Sequence, residues 1–195
     1  ALRLILLSEL EHFCARYPHV RIRLLNYSAP QAVKALENNI IDFAIVSTPV
    51  LVHKHMHQEK LVSYDEILLG GTKYKQFAQQ VHYLEDISEM PLIGLCEGSS
   101  THTHYSRFFI EHDLPFEPDM EAAMTDQVLP MITHNLGIGF YPKSLALEAI
   151  EKELVFPIEL TEPLPNRDVV VITNNHTPIN SAARRFLEFL LENRK

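Results

Sequence analysis

The stretch from Arg16 to Val46, RYPHVRIRLLNYSAPQAVKALENNIIDFAIV, constrains the chain most. In about thirty residues it spells strand, helix and strand, the size of one βαβ unit. Pro18 ends whatever helix precedes it, because its ring cannot continue one. Val20, Ile22 and Leu24 alternate with Arg21 and Arg23, and that period of two predicts a half-buried strand over 20–25. Ser28 and Gln31 have capping-box spacing, and Pro30 is tolerated in a first helical turn. Ala32, Val33 and Leu36 supply a short apolar face, and Asn39 suits the left-handed residue that closes a helix. Phe43 to Val46 then run on without alternation, which fits a strand covered on both faces, as in a parallel sheet.

Elsewhere strands and helices continue to alternate, which argues an α/β architecture. Residues 1–17 read as a helix with Leu2, Leu6, Leu10, Phe13 and Tyr17 on one buried face. A second apolar line, Leu4, Leu7 and Cys14, needs its own cover, either from the same core or from another subunit. Ile67 to Leu69 predict a buried strand ending at Gly70-Gly71, a glycine pair that suits a crossing between lobes. Residues 73–90 read as polar and mostly helical or looped. Further strands are expected at 91–96, 117–124, 155–160 and 167–172. Helices are expected from about 101, over 125–135 with Pro130 early enough to cost little, over 143–153, and at the end with Ala183, Phe186, Leu187 and Leu190 inward.

Composition excludes several classes of function. The 195 residues suffice for one large domain or two small lobes, and 46% apolar with 22% charged is a globular profile. A net charge of −8, with Lys and Arg scattered, is unlike a surface that grips nucleic acid phosphates. No apolar run reaches membrane-spanning length, and ALRLILL lacks a small-residue cleavage site. Two cysteines, Cys14 and Cys96, make no disulfide framework and point to a reducing, cytoplasmic setting.

Catalytic motifs are not found: there is no P-loop, no G-x-S-x-G and no H-E-x-x-H. Asp42 and Asp126 read better as a junction residue and a helix-start residue than as an acid–base pair. His53, His55 and His57 would share one face of a strand, and clustered imidazoles bind zinc or nickel. With no Cys or carboxylate completing a familiar spacing, an exposed polar loop is the better expectation, and no metal or cofactor is assigned. The segment Cys96-Glu97-Gly98-Ser99-Ser100-Thr101-His102 is strand, Gly-Ser turn and helix start. That geometry points free amide N–H groups outward toward an anion, although plain N-capping by Ser or Thr explains the same residues.

The chain resembles the effector-binding domain of LysR-type transcriptional regulators. The resemblance rests on RYP-x-V-x-I-x-L, on Leu36, Ile41, Asp42, Ala44 and Ile45, on Gly137-Ile138-Gly139-Phe140-Tyr141-Pro142, and on the closing Ala182-Ala183-Arg184-Arg185-Phe186-Leu187. Asn39 departs where that family usually has Gly, and Tyr141 stands where Leu is commoner. No single segment is specific, but their order and spacing together are.

The resemblance implies a two-lobed, periplasmic-binding-protein-like α/β fold, each lobe a central mixed sheet flanked by helices, joined by two crossing strands. One lobe would combine 1–64 with 168–195, and the other would be 65–167. It further implies a non-enzymatic sensor of a small polar or carboxylate effector, held in a cleft between lobes by Ser47 and Thr48 from one side. Gly98, Ser99, Ser100, Thr101, His102, Thr125 and Tyr141 would face them. A strand and a loop would precede residue 1, and DNA would be bound only through a winged-helix domain absent from this chain. Residues 1–25 would meet the 65–167 lobe of a partner copy in an antiparallel homodimer, or a tetramer built from it. Cys14 and Cys96 would fall in different lobes, which argues against a redox switch. The alternatives are a solute-binding protein of a transport system and, less readily, an enzyme on the same fold.

Overall fold

The computed structural model describes residues 2–192, with the side chain of Leu2 excepted. The chain divides into two compact units, one formed by residues up to Ser63 together with those from Asp168, the other by Tyr64–Arg167. It therefore passes between units at 63–64 and again at 167–168. Charge is divided unequally between them. Residues 64–167 carry 17 acidic and 6 basic side chains, a balance of −11, while the remainder carries 8 and 11, a balance of +3. The cations are thus less scattered than the sequence suggests.

In the first unit, a π-helical turn at Leu2–Leu6 leads into α1, Leu7–Arg16. Phe13 anchors it, almost fully buried and edge-on to Phe186 at 5.0 Å in α7, Ser181–Glu192. Leu6 and Leu10 are only half-buried, and Leu2 lies outside the described side chains. The expected strand over 20–25 does not form: the segment has no ladder partner among the described residues, and Ile22, Leu24 and Leu25 are exposed. Alternation makes a segment fit a pleated surface, but only a paired neighbour makes it a strand. Without that first strand there is no βαβ unit at 16–46.

Helix α2, Ala29–Glu37, starts as its sequence predicts, with Ser28 N–H donating to Gln31 Oε1 at 2.9 Å. Asn39 closes it at φ 55°, the left-handed role expected of it. β1, Ala44–Ser47, pairs antiparallel with β9, Arg167–Asn174, rather than in a parallel sheet. The three-stranded order is β1-β9-β2, with β2 at Met56–Tyr64. β9 is the central strand, and its Val169–Ile172 run is buried on both faces. Ala32, Val33 and Leu36 of α2 pack on Ala44, Val46, Val170 and Ile172.

The second unit is built on a six-stranded mixed sheet of order β4-β8-β3-β7-β5-β6. β3 is Glu66–Gly71, β4 Val81–His82, β5 Leu92–Leu95, β6 Met120–Ala122, β7 Ile138–Pro142 and β8 Val155–Leu160. The helices are a short α3 at Leu84–Ile87, α4 at Ser100–Ile110, α5 at Thr125–Thr133 and α6 at Lys143–Glu151. Strand alternation sorts neighbouring residues into two cores. Leu68 and Phe140 pack with Tyr105, Phe108 and Phe109 of α4. Leu69 and Tyr141, each one residue further on, pack with Val128 and Ile132 of α5 and Ala146 of α6.

Gly70 and Gly71 are not at a crossing. They lie inside β3, where a Cβ on Gly71 would sit 2.3 Å from the Ile132 carbonyl oxygen. Close packing against α5 is what excludes a side chain there. Pro130 is the sixth residue of α5, beyond the first turn, and so removes one helical hydrogen bond that an earlier proline would have spared.

Candidate functional site

β5 is parallel to both β6 and β7. Each of these three strands runs directly into a helix: β5 into α4, β6 into α5, β7 into α6. Their helix N-termini therefore leave the same edge of the sheet, the carboxyl end of the strands, where open α/β sheets bind ligands. Helix starts carry unpaired amide N–H groups and the positive end of the backbone dipole.

Gly98 makes the turn into α4 at φ 81°, with open space where a side chain would be. Ser99 is the N-cap, and its Oγ accepts from His102 N–H at 3.1 Å. Its hydroxyl is thus spent on capping. Ser100, the first helical residue, is half-buried. The Thr101 Oγ1 accepts from Arg167 Nη1 at 3.0 Å. The ring of His102 meets Ser106 Oγ through Nδ1 at 3.2 Å and lies edge-on to Phe116. At the neighbouring helix start, Met124 N–H donates to Gln127 Oε1, and Thr125 is half-buried.

Beneath this edge lies a cluster that the sequence reading missed. Arg167 and Glu66 are both buried, with Arg167 Nη1 3.2 Å from Glu66 Oε1 and 3.3 Å from Oε2. The Tyr105 hydroxyl donates to Glu66 Oε2 at 2.5 Å. Burial, and then the adjacent Glu66 carboxylate, push the Tyr105 phenol well above its ordinary range. Burial opposes the Arg167 charge, but Glu66, Tyr64 and Tyr105 together outweigh it and raise the guanidinium pKa further. His104 lies edge-on to Tyr105, and its buried Nε2 finds no hydrogen-bond partner. Burial first, then Arg167, lower its basicity. Glu66 opens the apolar strand β3 and Arg167 opens β9 just before its apolar run Val169–Ile172, so a charge at a strand end was the available signal. Nothing local indicated that the two meet across 101 positions.

Two further predicted positions, Tyr141 and Thr48, take on other work. Tyr141 is fully buried in the core formed with α5 and α6, so its side chain does not face the helix-start edge. Thr48, in the first unit, accepts from Asp168 N–H through Oγ1 at 3.0 Å and donates its own N–H to the Asp168 carbonyl. Ser47 is half-buried at the end of β1. Asp168 also accepts from Ser63 Oγ and Lys60 Nζ, at 2.7 and 2.8 Å. Desolvation raises its pKa, but those two bonds outweigh it and hold the carboxyl below its ordinary range. Among the described residues no group of three or more His, Cys, Asp or Glu is arranged to hold a metal ion. No described helix is long and apolar enough to cross a membrane.

Comparison with known proteins gives a consistent result. A family model described as the LysR substrate binding domain matches residues 2–195. The HTH-type transcriptional regulator YofA of Bacillus velezensis is 20% identical over 178 residues, covering 91% of this chain but 59% of its own length. The chain thus spans about three fifths of that relative. The CcmR regulatory domain of Synechocystis, solved in complex with 2-PG, superposes with a TM-score of 0.86 at 15% identity, over 100% of this chain and 93% of that one. The effector binding domain of QuiR, solved with shikimate, gives 0.82 at 16% identity, over 97% and 90%. At these identities the likeness establishes the fold, the two-lobed periplasmic-binding-protein type.

Proposed function

The chain belongs to the LysR substrate-binding domain family, and from that premise we propose that it is the effector-sensing part of a DNA-binding transcriptional regulator. Its role is to bind a small molecule, not to transform one. The DNA-binding domain lies outside this chain, and the whole protein works in the cytoplasm as a homodimer or higher oligomer. In this reading the effector sits at the edge where α4 and α5 begin. Its contacts are the amides of Gly98, Ser100 and Thr101, the Ser100 hydroxyl and Thr125.

The observation that carries the reading is the convergence of parallel-strand ends and helix starts within 64–167. The ligand class follows from the chemistry of that edge. Amide donors and hydroxyls favour an acceptor-rich, anionic group. Shikimate, found with QuiR, carries a carboxylate and supports the same class here. The effector acts by stabilising one of two conformations of the chain, and a useful switch requires a coupling of about 1–3 kcal/mol.

A thermal-shift screen of small carboxylates tests the proposal, since a ligand bound only to the native state raises the melting temperature. A hit whose shift disappears in Ser100→Ala and Thr125→Ala supports this site. A hit insensitive to both places the ligand elsewhere.

A further inference from the structure

Two half-buried side chains at the start of α4 have an accepting position filled from within the protein. Thr101 Oγ1 accepts from Arg167 Nη1 at 3.0 Å. A hydroxyl has one proton beside its lone pairs, and a cation donating into the oxygen polarises that O–H and turns it away from the guanidinium. What Thr101 offers best is then a donor. His102 meets Ser106 Oγ through Nδ1 at 3.2 Å, and the Ser106 hydroxyl makes no other hydrogen bond among the described residues. With that hydroxyl donating, Nδ1 is the accepting nitrogen of a neutral imidazole, and Nε2 carries the proton.

Acceptors in the same turns are already engaged. The Cys96 carbonyl accepts from Ser99 N–H at 3.2 Å, and the Ser99 carbonyl accepts from Thr103 through both its N–H and its Oγ1 at 3.1 Å. On the neighbouring strand and helix, the Ala122 carbonyl accepts from Cys96 N–H, the Met124 carbonyl from Gln127 N–H, and Gln127 Oε1 from Met124 N–H. The carboxylates next in sequence, Glu97 and Asp126, are exposed. A group held by the amides of Gly98, Ser100 and Thr101 therefore meets many donors and few open acceptors. A ligand atom that brings its own proton has little to give it to, and an unmade hydrogen bond costs more than a made one gains.

We propose that Arg167 and Ser106 are positioning residues that hold Thr101 and His102 as donors, so that the start of α4 selects an oxyanion with no proton of its own, a carboxylate or a sulfate, over one that must donate. This rests on the effector site proposed above and names the feature of the ligand that the site reads. Arg167 acts through the Thr101 hydroxyl and Ser106 through the tautomer of His102, not by contact with the ligand. Selection of this kind does not depend on net charge, since two anions of equal charge and shape can differ by a single proton.

Sulfate and monohydrogen phosphate provide that pair at mildly alkaline pH. Both are tetrahedral dianions, and only the second carries a proton. Sulfate titrated into the whole chain should move the amide NMR resonances of Gly98, Ser100 and Thr101, and phosphate should need at least about five-fold higher concentration. Nitrogen NMR of the imidazole should place the His102 proton on Nε2. Ser106→Ala should mix the two tautomers and bring the sulfate-to-phosphate preference toward one, and Ser106→Thr, which keeps the hydroxyl, should restore it. Equal affinities, a proton on Nδ1, or a preference unmoved by Ser106→Ala overturns this inference and leaves the site standing. If neither anion moves the amides at 98–101, the site itself is wrong and the inference falls with it.

Discussion

Arg167 and Glu66, 101 positions apart, form an ion pair whose side chains are 2% and 3% exposed. Each opens a strand of the 64–167 unit or its border, and each stands one to three residues from a point where the chain passes between units. Tyr105 adds a hydrogen bond to Glu66 Oε2 and Thr101 one to Arg167 Nη1, so α4 is bound to both strands through polar contacts.

Breaking this pair should cost far more than replacing it. Glu66→Ala leaves a buried guanidinium without its counter-charge and is expected to destabilise by roughly 3–5 kcal/mol. The double change Glu66→Leu with Arg167→Met removes both charges and should recover most of that loss. Urea unfolding of the wild type and the two variants checks this. A single variant as stable as the double would show that the pair contributes nothing specific.

Thr101 and Ser100 are adjacent but should separate stability from ligand response. Thr101→Val removes an acceptor from a buried cation and is expected to cost about 1–3 kcal/mol. Ser100→Ala has no such bond to lose and should change stability by no more than about 0.5 kcal/mol. If the proposed site is right, Ser100→Ala nonetheless abolishes the ligand-induced rise in melting temperature. Equal stability losses in the two variants would contradict the assignment.

His104 should make the protein less stable in mild acid. Its folded pKa lies below the ordinary 6.5, so between that lowered value and 6.5 the unfolded chain binds more protons than the folded one. Stability then falls as pH drops through this window, and recovers as pH rises above it. Thermal melts from neutral to mildly acidic pH in wild type and His104→Gln measure the contribution. The variant should lose less stability over the window. NMR titration should place His104 as the imidazole that resists protonation.

What could be read from the sequence divides along a physical line. α2 was legible because its start and stop are local: Ser28, Gln31 and Asn39 all act within one turn. β9 was legible because a central strand is buried on both faces and reads as a β-branched run. The segment 20–25 misled because alternation reports fitness for a sheet, and pairing depends on residues far away. At the site, the turn at 98–102 was visible from Gly and Ser at a strand end. Its chemistry was not, since whether a hydroxyl caps a helix, as Ser99 does, or meets a buried arginine, as Thr101 does, is a tertiary fact. Tyr141 shows the same limit: a one-residue step along a strand moves a side chain to the other face, here into the core with α5 and α6.

The last expectation concerns assembly. Leu7 is 53% exposed, and Ile22, Leu24 and Leu25 are exposed too, a concentration of large apolar side chains near the start of the chain. Arg16, Arg21 and Arg23 are interleaved with them, on the unit whose charge balance is +3, while 64–167 carries −11. A surface both apolar and basic is matched by an acidic one on a second copy of the same chain, and a two-fold contact uses that match twice. We therefore expect a homodimer in which residues 1–25 of one copy meet the 64–167 unit of the other. Two measurements check it. Raising salt from about 0.05 to 0.5 M should weaken the dimer, because screening shortens the reach of exposed charges to a few ångströms. Leu7→Glu should yield a folded monomer by light scattering, since Leu7 is already exposed within its own chain and a charge is costly only inside an interface. If that variant unfolds, residues 1–25 serve their own core. If it remains dimeric at micromolar concentration, the contact lies on another face.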